Sequence, residues 1–371
     1  MKILAKTFAG LEEVLALEIE KLGGTQINPI KRGVEFEGDM RLLYRANLEL
    51  RTALRILMPI ESFSVKHEAV LYNKIKAMDW SKYLDVKQTF AIDAVVRSTF
   101  FTHSQYVGLK TKDAIADYFR DKFGKRPNVN TAQPNVLINI HLNEDKLTVS
   151  LDASGDSLHK RGYRVDTLEA PINEVLAAGM IQLSEWDGQK PFVDAMCGSG
   201  TILTEAAMFA HGVPPQYGRD YFCFKHWQGF DSALWEDVVA QANSINNPNV
   251  ASVTGHDNSF QAIRVTERNV EAANLNGKIV LSRKDFFKNT PEGEPGVLMI
   301  NPPYDERLKI EDAQQFYKEI GDVLKKQWKG WQVWIISGNL EAVKFVGLKP
   351  TRKFTLFNGA IECKFLKYEM Y

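Results

Sequence analysis

The stretch Pro191-Phe-Val-Asp194-Ala-Met-Cys-Gly198-Ser-Gly200-Thr201 decides the fold of this chain. Its first residues are apolar and favour a strand, and they run into an acid that two glycines follow. From Thr201 onward, apolar residues recur at helical spacing. Glycine lets the backbone turn sharply and lets a ligand approach without a Cβ in the way. The stretch therefore predicts a strand, a tight turn and a helix whose first N–H groups can face a ligand.

Two common glycine-rich loops do not fit this stretch. A phosphate-binding P-loop needs a lysine after its last glycine, and a dinucleotide-binding loop needs a third glycine where Leu203 stands. What remains is the pattern Asp-x-x-x-Gly-x-Gly-Thr, with the acid placed before the glycines. This pattern resembles the S-adenosylmethionine loop of class I methyltransferases. An ordinary glycine-rich turn between a strand and a helix is the alternative.

A second motif lies further along the chain. Residues 296–300 predict a buried parallel strand, and Asn301-Pro302-Pro303-Tyr304 follows it directly. Because two prolines cannot continue a ladder of hydrogen bonds, the tetrapeptide must form a rigid loop at the carboxyl edge of the sheet, where such folds place their ligands. It resembles the active-site tetrapeptide of methyltransferases that modify exocyclic amines of planar bases. The resemblance implies catalytic roles for Asn301, Pro302, Pro303 and Tyr304, of which Tyr304 is expected to stack on the base.

The same resemblance implies that the cofactor is S-adenosylmethionine, held by a mostly parallel seven-stranded Rossmann-like sheet. Asp257 ends a predicted strand, and an ionised acid there can accept from both ribose hydroxyls. Asp285 follows the next strand and is suited to accept from the adenine amine, with Phe286 beside the ring. Either acid could instead cap a helix. The expected cofactor-binding residues are Asn173, Asp194, Ala195, Cys197, Gly198, Gly200, Thr201, Asp257, Asn258, Asp285, Phe286 and Asn301.

The first half of the chain predicts a different architecture. Residues 2–7 and 33–38 alternate apolar and polar like strands, and helical patterns cover residues 11–22 and the segment after Asp39. A predicted strand at 89–96, a longer helix over 104–123 and two more strands at 135–142 and 146–153 follow in this order. The order resembles a THUMP module, an RNA-binding domain of RNA-modifying enzymes. We therefore predict an α/β protein with a ferredoxin-like α+β segment at 1–44, a THUMP domain at 45–155 and a class I methyltransferase domain at 156–371.

Two stretches combine cations with aromatic or hydroxyl side chains, as a surface for phosphates and bases would. One runs from Arg97 into the long helix, and the other is the junction at residues 158–164. A solvated helix entrance and an exposed linker are the alternatives. The residues expected to contact RNA are Arg97, Ser98, His103, Ser104, Lys110, Lys112, Arg161 and Arg164.

Residues 211–249 form a predicted insertion that carries Trp227, Phe230 and Trp235. We expect these aromatics to pack on the domain, since aromatic residues are usually buried. A lid that touches RNA is the alternative. A comparable insertion is a feature of the bacterial THUMP methyltransferases of ribosomal RNA, so the resemblance extends to that subfamily.

The composition of the chain indicates which binding partners and which cellular compartment to expect. The net charge is zero, but residues 1–165 carry 25 Lys and Arg against 20 Asp and Glu, so a polyanion would meet this half first. Three cysteines without Cys-x-x-Cys spacing indicate a reducing cytosol and argue against a metal cluster. Among them, Cys197 is expected to pack beside the ligand rather than act as a nucleophile. No apolar run reaches ~18 residues, and the apolar run at the N-terminus is too short for a secretory signal, so we expect a cytoplasmic protein without a membrane or metal partner.

The resulting hypothesis is a methyltransferase for the N2 amine of guanine in RNA. The expected substrate is 23S ribosomal RNA, either naked or in a pre-ribosomal particle. Three alternatives are a transfer-RNA guanine-N2 methyltransferase, a DNA adenine-N6 methyltransferase, and a non-catalytic RNA-binding or assembly factor.

Overall fold

Two β-sheets, one in each half of the chain, carry the fold. The structure is a computed structural model, and it describes residues 1–168, 171–245, 247, 249–303 and 310–371. The first half contains β1 (Lys2–Lys6), α1 (Glu12–Lys21), β2 (Thr25–Ile30), β3 (Gly33–Glu37), α2 (Met40–Glu49), β4 (Arg55–Ser64), α3 (Glu68–Ala77), β5 (Thr89–Arg97), α4 (Ser104–Phe123), β6 (Asn128–Val129), β7 (Val136–Asn143) and β8 (Lys146–Asp152).

These strands form one sheet in the order β2-β3-β1-β4-β8-β7-β5-β6. Strand β4 pairs with β1 on one side and with β8 on the other, so the ferredoxin-like and THUMP segments share a continuous sheet. The domain boundary drawn at residue 44 falls inside α2, which begins where the Asp39 side chain accepts from the Leu42 N–H at 2.8 Å. Strand β2 was not predicted, because its polar sequence and Pro29 are typical of an edge strand rather than of an alternating one.

The second half contains α5 (Glu174–Leu183), β9 (Phe192–Asp194), α6 (Thr201–Ala210), α7 (Ser232–Asn243), β10 (Val253–Asp257), α8 (Phe260–Ala272), β11 (Val280–Arg283), β12 (Val297–Ile300), α9 (Ile310–Gln327), β13 (Gln332–Ser337), β14 (Arg352–Asn358) and β15 (Ile361–Glu369). Their order is β11-β10-β9-β12-β13-β15-β14. Strand β15 runs antiparallel to β13 and to β14, with which it forms a hairpin, and the other paired strands are parallel. The expected Rossmann-like sheet of seven mostly parallel strands is confirmed. Its strand order reverses between β9 and β12, where a crevice opens at the carboxyl ends.

The insertion at 211–249 joins the two halves. Phe224 stacks on Tyr44 with ring centroids 4.7 Å apart, and Arg41 pairs with Asp237 of α7 at 2.5 Å. Phe222, Phe224 and Trp227 are buried in the same core as the first sheet. The aromatic side chains of the insertion are therefore packed, as expected, but against the N-terminal half of the chain. Residues 211–249 link the two halves rather than covering the site as a lid, and this segment is called the strut below.

Candidate active site

A cavity of about 340 Å³ lies at the carboxyl ends of β9, β10 and β12. Most residues predicted to hold the cofactor or the substrate amine line it, namely Asp194, Ala195, Cys197, Gly198, Thr201, Asp257, Asn258, Asp285, Phe286, Asn301, Pro302 and Pro303. Eight residues that were not predicted line it as well, namely Leu168, Pro171, Ile172, Met196, Ser199, Ile202, Phe287 and Phe316. Met196 and Ser199 occupy unspecified positions of the glycine-loop pattern, and for the other six only the folded chain shows that they face the cavity.

The two glycines of the turn serve different purposes. Gly198 has a φ of 55°, and a Cβ placed there would meet nothing within 4 Å, so the cavity keeps open space at this residue. Gly200 has a φ of 77°, and its Cβ would lie 2.5 Å from Thr266 Cγ2 of α8. The first glycine leaves room for a ligand, and the second allows α6 to pack on α8.

Asp257 connects the glycine turn to the neighbouring strand. Its Oδ2 accepts from the Gly198 N–H at 3.0 Å, and its Oδ1 accepts from the Ser259 N–H at 2.9 Å. A carboxylate has about four acceptor positions, so two hydroxyl donors of a ligand can still be accommodated. The geometry fits the predicted contact with a ribose.

Asp194 is buried in the cavity wall beside Cys197. Burial raises the pKa of Asp194 to about 8 despite a hydrogen bond from the Met196 N–H, and the charge of Asp257 raises it as well. Burial, followed by the charges of the two acids, raises the pKa of the Cys197 thiol well above its ordinary value. Since a thiolate is the nucleophilic form, the site favours a packing role for Cys197.

Asp285 has one of the two roles that the sequence left open, the cap, and it is also placed at the cavity. Its Oδ1 accepts from the Phe287 N–H at 3.0 Å and caps a short turn at Phe286–Lys288, while the residue also lines the cavity. Phe286 is buried, and its ring stacks on Trp328 with centroids 6.2 Å apart. The capped turn thus holds an acceptor and an aromatic edge at the cavity.

Asn301 lies at the end of β12, where the strand meets the cavity. Its side-chain Oδ1 is buried and accepts no hydrogen bond from the residues that the structure describes. A buried acceptor without a donor is costly, which makes this atom a place for a donor supplied by a ligand. Pro302 is buried next to it, whereas the predicted stacking residue Tyr304 lies outside the described residues.

Four predicted contacts lie elsewhere, and one of them is Gly200, which packs against α8 and does not line the cavity. Asn173 does not line the cavity, and its Oδ1 caps α5 by accepting from the Val175 N–H at 2.9 Å. Arg161 is buried in an ion pair with Glu205 and is excluded from a surface that RNA could touch. Arg164 donates to the Ile172 carbonyl and to Thr201 Oγ1 and pairs with Glu174 at 3.1 Å, so its guanidinium is committed inside the protein. The placement of Arg161 and Arg164 on the RNA surface is therefore corrected.

The other predicted RNA contacts lie around the start of α4. Arg97, His103 and Ser104 are exposed, and Ser98, Lys110 and Lys112 are half-buried. Lys110 Nζ lies 5.9 Å from the ring centroids of both Tyr72 and Tyr106. The sequence reasoning missed Lys66, whose Nζ lies 5.7 Å from the exposed ring of Phe100. Cations beside exposed aromatic rings form the surface that single-stranded nucleic acids use.

The order of the second sheet, the antiparallel β15 and the glycine turn beneath the cavity define a class I methyltransferase. A family model described as the RMKL-like methyltransferase domain matches residues 161–367. Models of the THUMP domain and of the RlmL ferredoxin-like domain match residues 65–152 and 2–57.

Curated relatives agree with these family matches. A candidate RNA methyltransferase of Synechocystis is 37% identical over 98% of this chain and 95% of its own length. The ribosomal RNA large subunit methyltransferase K/L of Methylococcus capsulatus is 36% identical over 97% of this chain, and that of Syntrophotalea carbinolica is 34% identical over 100%. The chain spans about half the length of these K/L relatives, 50% and 54%.

Solved structures agree as well. SMU.472, a candidate methyltransferase complexed with S-adenosylhomocysteine, superposes with a TM-score of 0.90 at 29% identity, covering 100% of this chain and 98% of its own. A candidate methylase of Clostridium difficile 630 gives 0.90 at 31% identity with the same coverage. The chain belongs to the RMKL-like methyltransferase family, and its cofactor is S-adenosylmethionine. The open space at Gly198 and the free acceptor positions of Asp257 fit that cofactor.

The described residues also bear on metal binding and on membrane insertion. Within the described ranges, no three His, Cys, Asp or Glu side chains are grouped so that they could hold a metal ion. Among the described helices, none combines the length and the hydropathy that crossing a bilayer requires.

Proposed function

We propose that this enzyme methylates the exocyclic N2 amine of a guanine in RNA, and that the RNA is large-subunit ribosomal RNA. The observation that carries the proposal is the buried Oδ1 of Asn301 at the edge of the cofactor cavity, an acceptor to which none of the described residues donates. An amine N–H of a base is a donor of the right kind for it.

The chemistry explains why such an acceptor is needed. An exocyclic amine is a poor nucleophile because its lone pair is delocalised into the ring. Hydrogen bonds from the amine to Asn301 Oδ1 and to the Pro302 carbonyl would draw the nitrogen toward tetrahedral geometry and aim its lone pair. The cofactor supplies the methyl group and a thioether leaving group, so a C–N bond forms, a C–S bond breaks and the amine releases a proton. The stacking of the base on Tyr304 stays a prediction.

Two findings support RNA as the substrate. A THUMP domain precedes the catalytic domain, and cations lie beside exposed aromatic rings around the start of α4. The K/L relatives are named for ribosomal RNA of the large subunit, which supports the choice of that RNA. The resemblance of residues 301–304 to the active-site tetrapeptide of enzymes that modify amines of planar bases supports an exocyclic amine and is compatible with guanine and adenine alike. Guanine is proposed from the resemblance of the whole chain to the bacterial THUMP methyltransferases of ribosomal RNA. A base in a duplex cannot reach such a cavity, so we expect the target to be unpaired or flipped.

The direct test is transfer of labelled methyl groups from S-adenosylmethionine into nucleic acids of a strain that lacks the protein. Ribosomal RNA, transfer RNA and DNA are offered separately, and the products are digested and analysed as nucleosides. We expect label in large-subunit ribosomal RNA, recovered as N2-methylguanosine. Label in transfer RNA or DNA, label in N6-methyladenosine, or no transfer to any substrate would each overturn the proposal.

A further inference from the structure

Asn269 of α8 connects the junction between the two halves to the cofactor loop. Its Oδ1 accepts from the Val165 and Asp166 N–H groups, both at 3.1 Å. Its Nδ2 donates to the Asp166 carbonyl at 3.0 Å and to the Ser199 carbonyl at 2.9 Å. The residue is 1% exposed, and its side chain makes four hydrogen bonds, two through each polar atom.

Asn269 belongs to a set of donors that hold the backbone of the glycine turn. The Gly198 carbonyl accepts from Thr266 Oγ1 at 2.9 Å, the Ser199 carbonyl accepts from Asn269, and the Gly200 carbonyl accepts from Thr204 Oγ1 at 2.8 Å. Two of these three donors stand on α8, one turn apart. Three successive carbonyl oxygens are therefore engaged by the protein, which fixes the turn between Gly198 and Thr201 in the cavity wall.

We propose that Asn269 is a positioning residue for the cofactor, holding the glycine turn in its binding geometry and tying it to the junction segment at residues 165–166. A turn that is already ordered loses less entropy when a ligand binds than a turn that must be ordered by the ligand. Asn269 does not line the cavity itself. It would act on cofactor binding through its hydrogen bond to the carbonyl of Ser199, which does line the cavity.

The surrounding contacts make this role separable from folding. Arg268 pairs with Asp166, and Arg164 bonds the Ile172 carbonyl and Thr201 Oγ1, so the junction stays attached to the catalytic domain when the Asn269 amide is removed. We therefore expect loss of Asn269 to loosen the turn more than it unfolds the domain. The inference rests on the cofactor alone and is independent of which nucleic acid is methylated.

The test compares Asn269→Ala and Asn269→Asp with Glu267→Gln, an exposed change on the same helix. The affinity for S-adenosylhomocysteine is measured by calorimetry without RNA. The KM for S-adenosylmethionine and the kcat are measured with the nucleic acid into which the enzyme transfers methyl groups. Because Asn269→Ala removes the bond to the Ser199 carbonyl together with the three bonds to residues 165–166, we expect it to weaken the affinity roughly tenfold and to raise KM by the same factor, with kcat at saturating cofactor nearly unchanged. Asn269→Asp should weaken it at least as much, since a carboxylate oxygen would face the Ser199 carbonyl. Glu267→Gln should have no effect.

A folded Asn269→Ala protein with wild-type affinity would overturn the proposal, and so would a fall in kcat with KM unchanged. Should Asn269→Ala fail to fold, Asn269→Asp decides by the same criteria. An independent pair is available at Thr266. Thr266→Val removes the hydroxyl bond to Gly198 and should also weaken the affinity, whereas Thr266→Ser keeps the hydroxyl and should retain most of it. Equal affinities in these two variants would contradict the idea that the carbonyl anchors matter.

Discussion

Arg161 and Glu205 form an ion pair with 3.3 Å between Nε and Oε1, and the two side chains are only 1% and 0% exposed. Arg161 also donates to the carbonyls of Leu158 and Arg51, and the Tyr163 hydroxyl donates to the same carboxylate oxygen at 3.0 Å. The pair thus joins the first half of the chain to α6, the helix that follows the glycine turn. The junction is an internal link between the domains rather than an exposed linker.

Replacing Arg161 with Met should therefore destabilise the protein. The change leaves the Glu205 carboxylate buried without its cation, which costs about 3–5 kcal/mol in the free energy of unfolding. Lys160→Met is the matched control, because this neighbouring cation is exposed and its effect should stay within about 0.5 kcal/mol. Urea denaturation followed by circular dichroism measures both. A stable Arg161→Met protein that has lost RNA affinity would instead support the original sequence-based assignment of this residue to the RNA surface.

The residues that the sequence predicted correctly are placed by interactions within a few residues of the chain. The residues that it misplaced are held by partners that are distant in the chain. The glycine turn, Asp257 at the end of β10 and the 301–303 loop follow from local patterns, since a strand, a tight turn and a proline are all set within a few residues. The burial of Arg161 depends on Glu205, which lies 44 residues away in the chain. A run of cations gives the same signal whether its partners are phosphates or a buried carboxylate, so composition alone could not distinguish the two.

The insertion was misplaced for a related reason. Its aromatic residues were correctly predicted to be buried, but their partner Tyr44 belongs to α2 in the first half of the chain. Likewise, periodicity located α2, yet it could not show that the next strand, β4, pairs on both edges and merges two predicted domains. Pairing between distant strands is set by the whole sheet and not by the strand's own sequence.

Asn301→Ala should abolish methyl transfer while leaving cofactor affinity nearly unchanged. The substitution removes the buried acceptor that would hold the amine, but the cofactor retains the glycine turn, Asp257 and Asp285. Asn243→Ala, at the exposed end of α7, serves as the control. The measurements are labelled methyl transfer and calorimetric titration with S-adenosylhomocysteine. Turnover close to that of the wild type would refute the role given to this side chain.

Cofactor affinity should rise with pH through the titration of Asp194. Its pKa of about 8 in the folded protein lies above the ordinary value of 3.8, so the protonated form is favoured on folding. The associated stability is fully present below pH 3.8 and is lost progressively as the pH rises to about 8. A cationic cofactor favours the ionised acid, so binding below pH 8 should release a proton and become tighter toward that pH.

The measurement is calorimetric titration with S-adenosylmethionine in buffers of different ionisation enthalpy. Asp194→Asn should remove both the proton release and the pH dependence, whereas Asp237→Asn, an exposed acid on α7, should preserve them. An affinity that is flat between pH 6 and 8 in the wild type would show that Asp194 is not linked to cofactor binding.

Phe224→Ala should loosen the strut between the two halves. The ring is fully buried and lies 4.7 Å from Tyr44 and 5.2 Å from Trp235, so truncation leaves a cavity that costs about 3–5 kcal/mol. Tyr217→Ala, at a side chain in the same insertion that is 47% exposed, is the control and should cost little. Denaturant unfolding checks the difference. By the same reasoning, deletion of residues 1–155 would expose the aromatic rings of the insertion. Point variants therefore test the assignment of RNA binding to the first half and of catalysis to the second half more cleanly than truncation does.

The RNA surface can be tested with two aromatic–lysine pairs at opposite ends of α4. Phe100 is 48% exposed with Lys66 Nζ 5.7 Å from its ring, and Phe123 is 47% exposed with Lys122 Nζ 5.5 Å from its ring. Only Phe100 lies beside the predicted contacts Arg97 and His103. If a base stacks on this ring, Phe100→Ala should weaken RNA binding by about 1–3 kcal/mol, while Phe123→Ala should leave it unchanged.

The lysines give a second readout on the same pairs. Lys66→Ala should lower the slope of log affinity against log salt concentration by about one, because one phosphate contact is lost, and Lys122→Ala should leave the slope as it is. Filter binding over a range of salt concentrations measures both quantities. The two pairs share the exposure of the ring and the distance from lysine to ring, and they differ in that Lys122 also pairs with Asp79 at 3.0 Å. Equal losses at the two ends would mean that RNA responds to general charge and not to this surface. A loss confined to Phe100 and Lys66 would place the RNA at the start of α4.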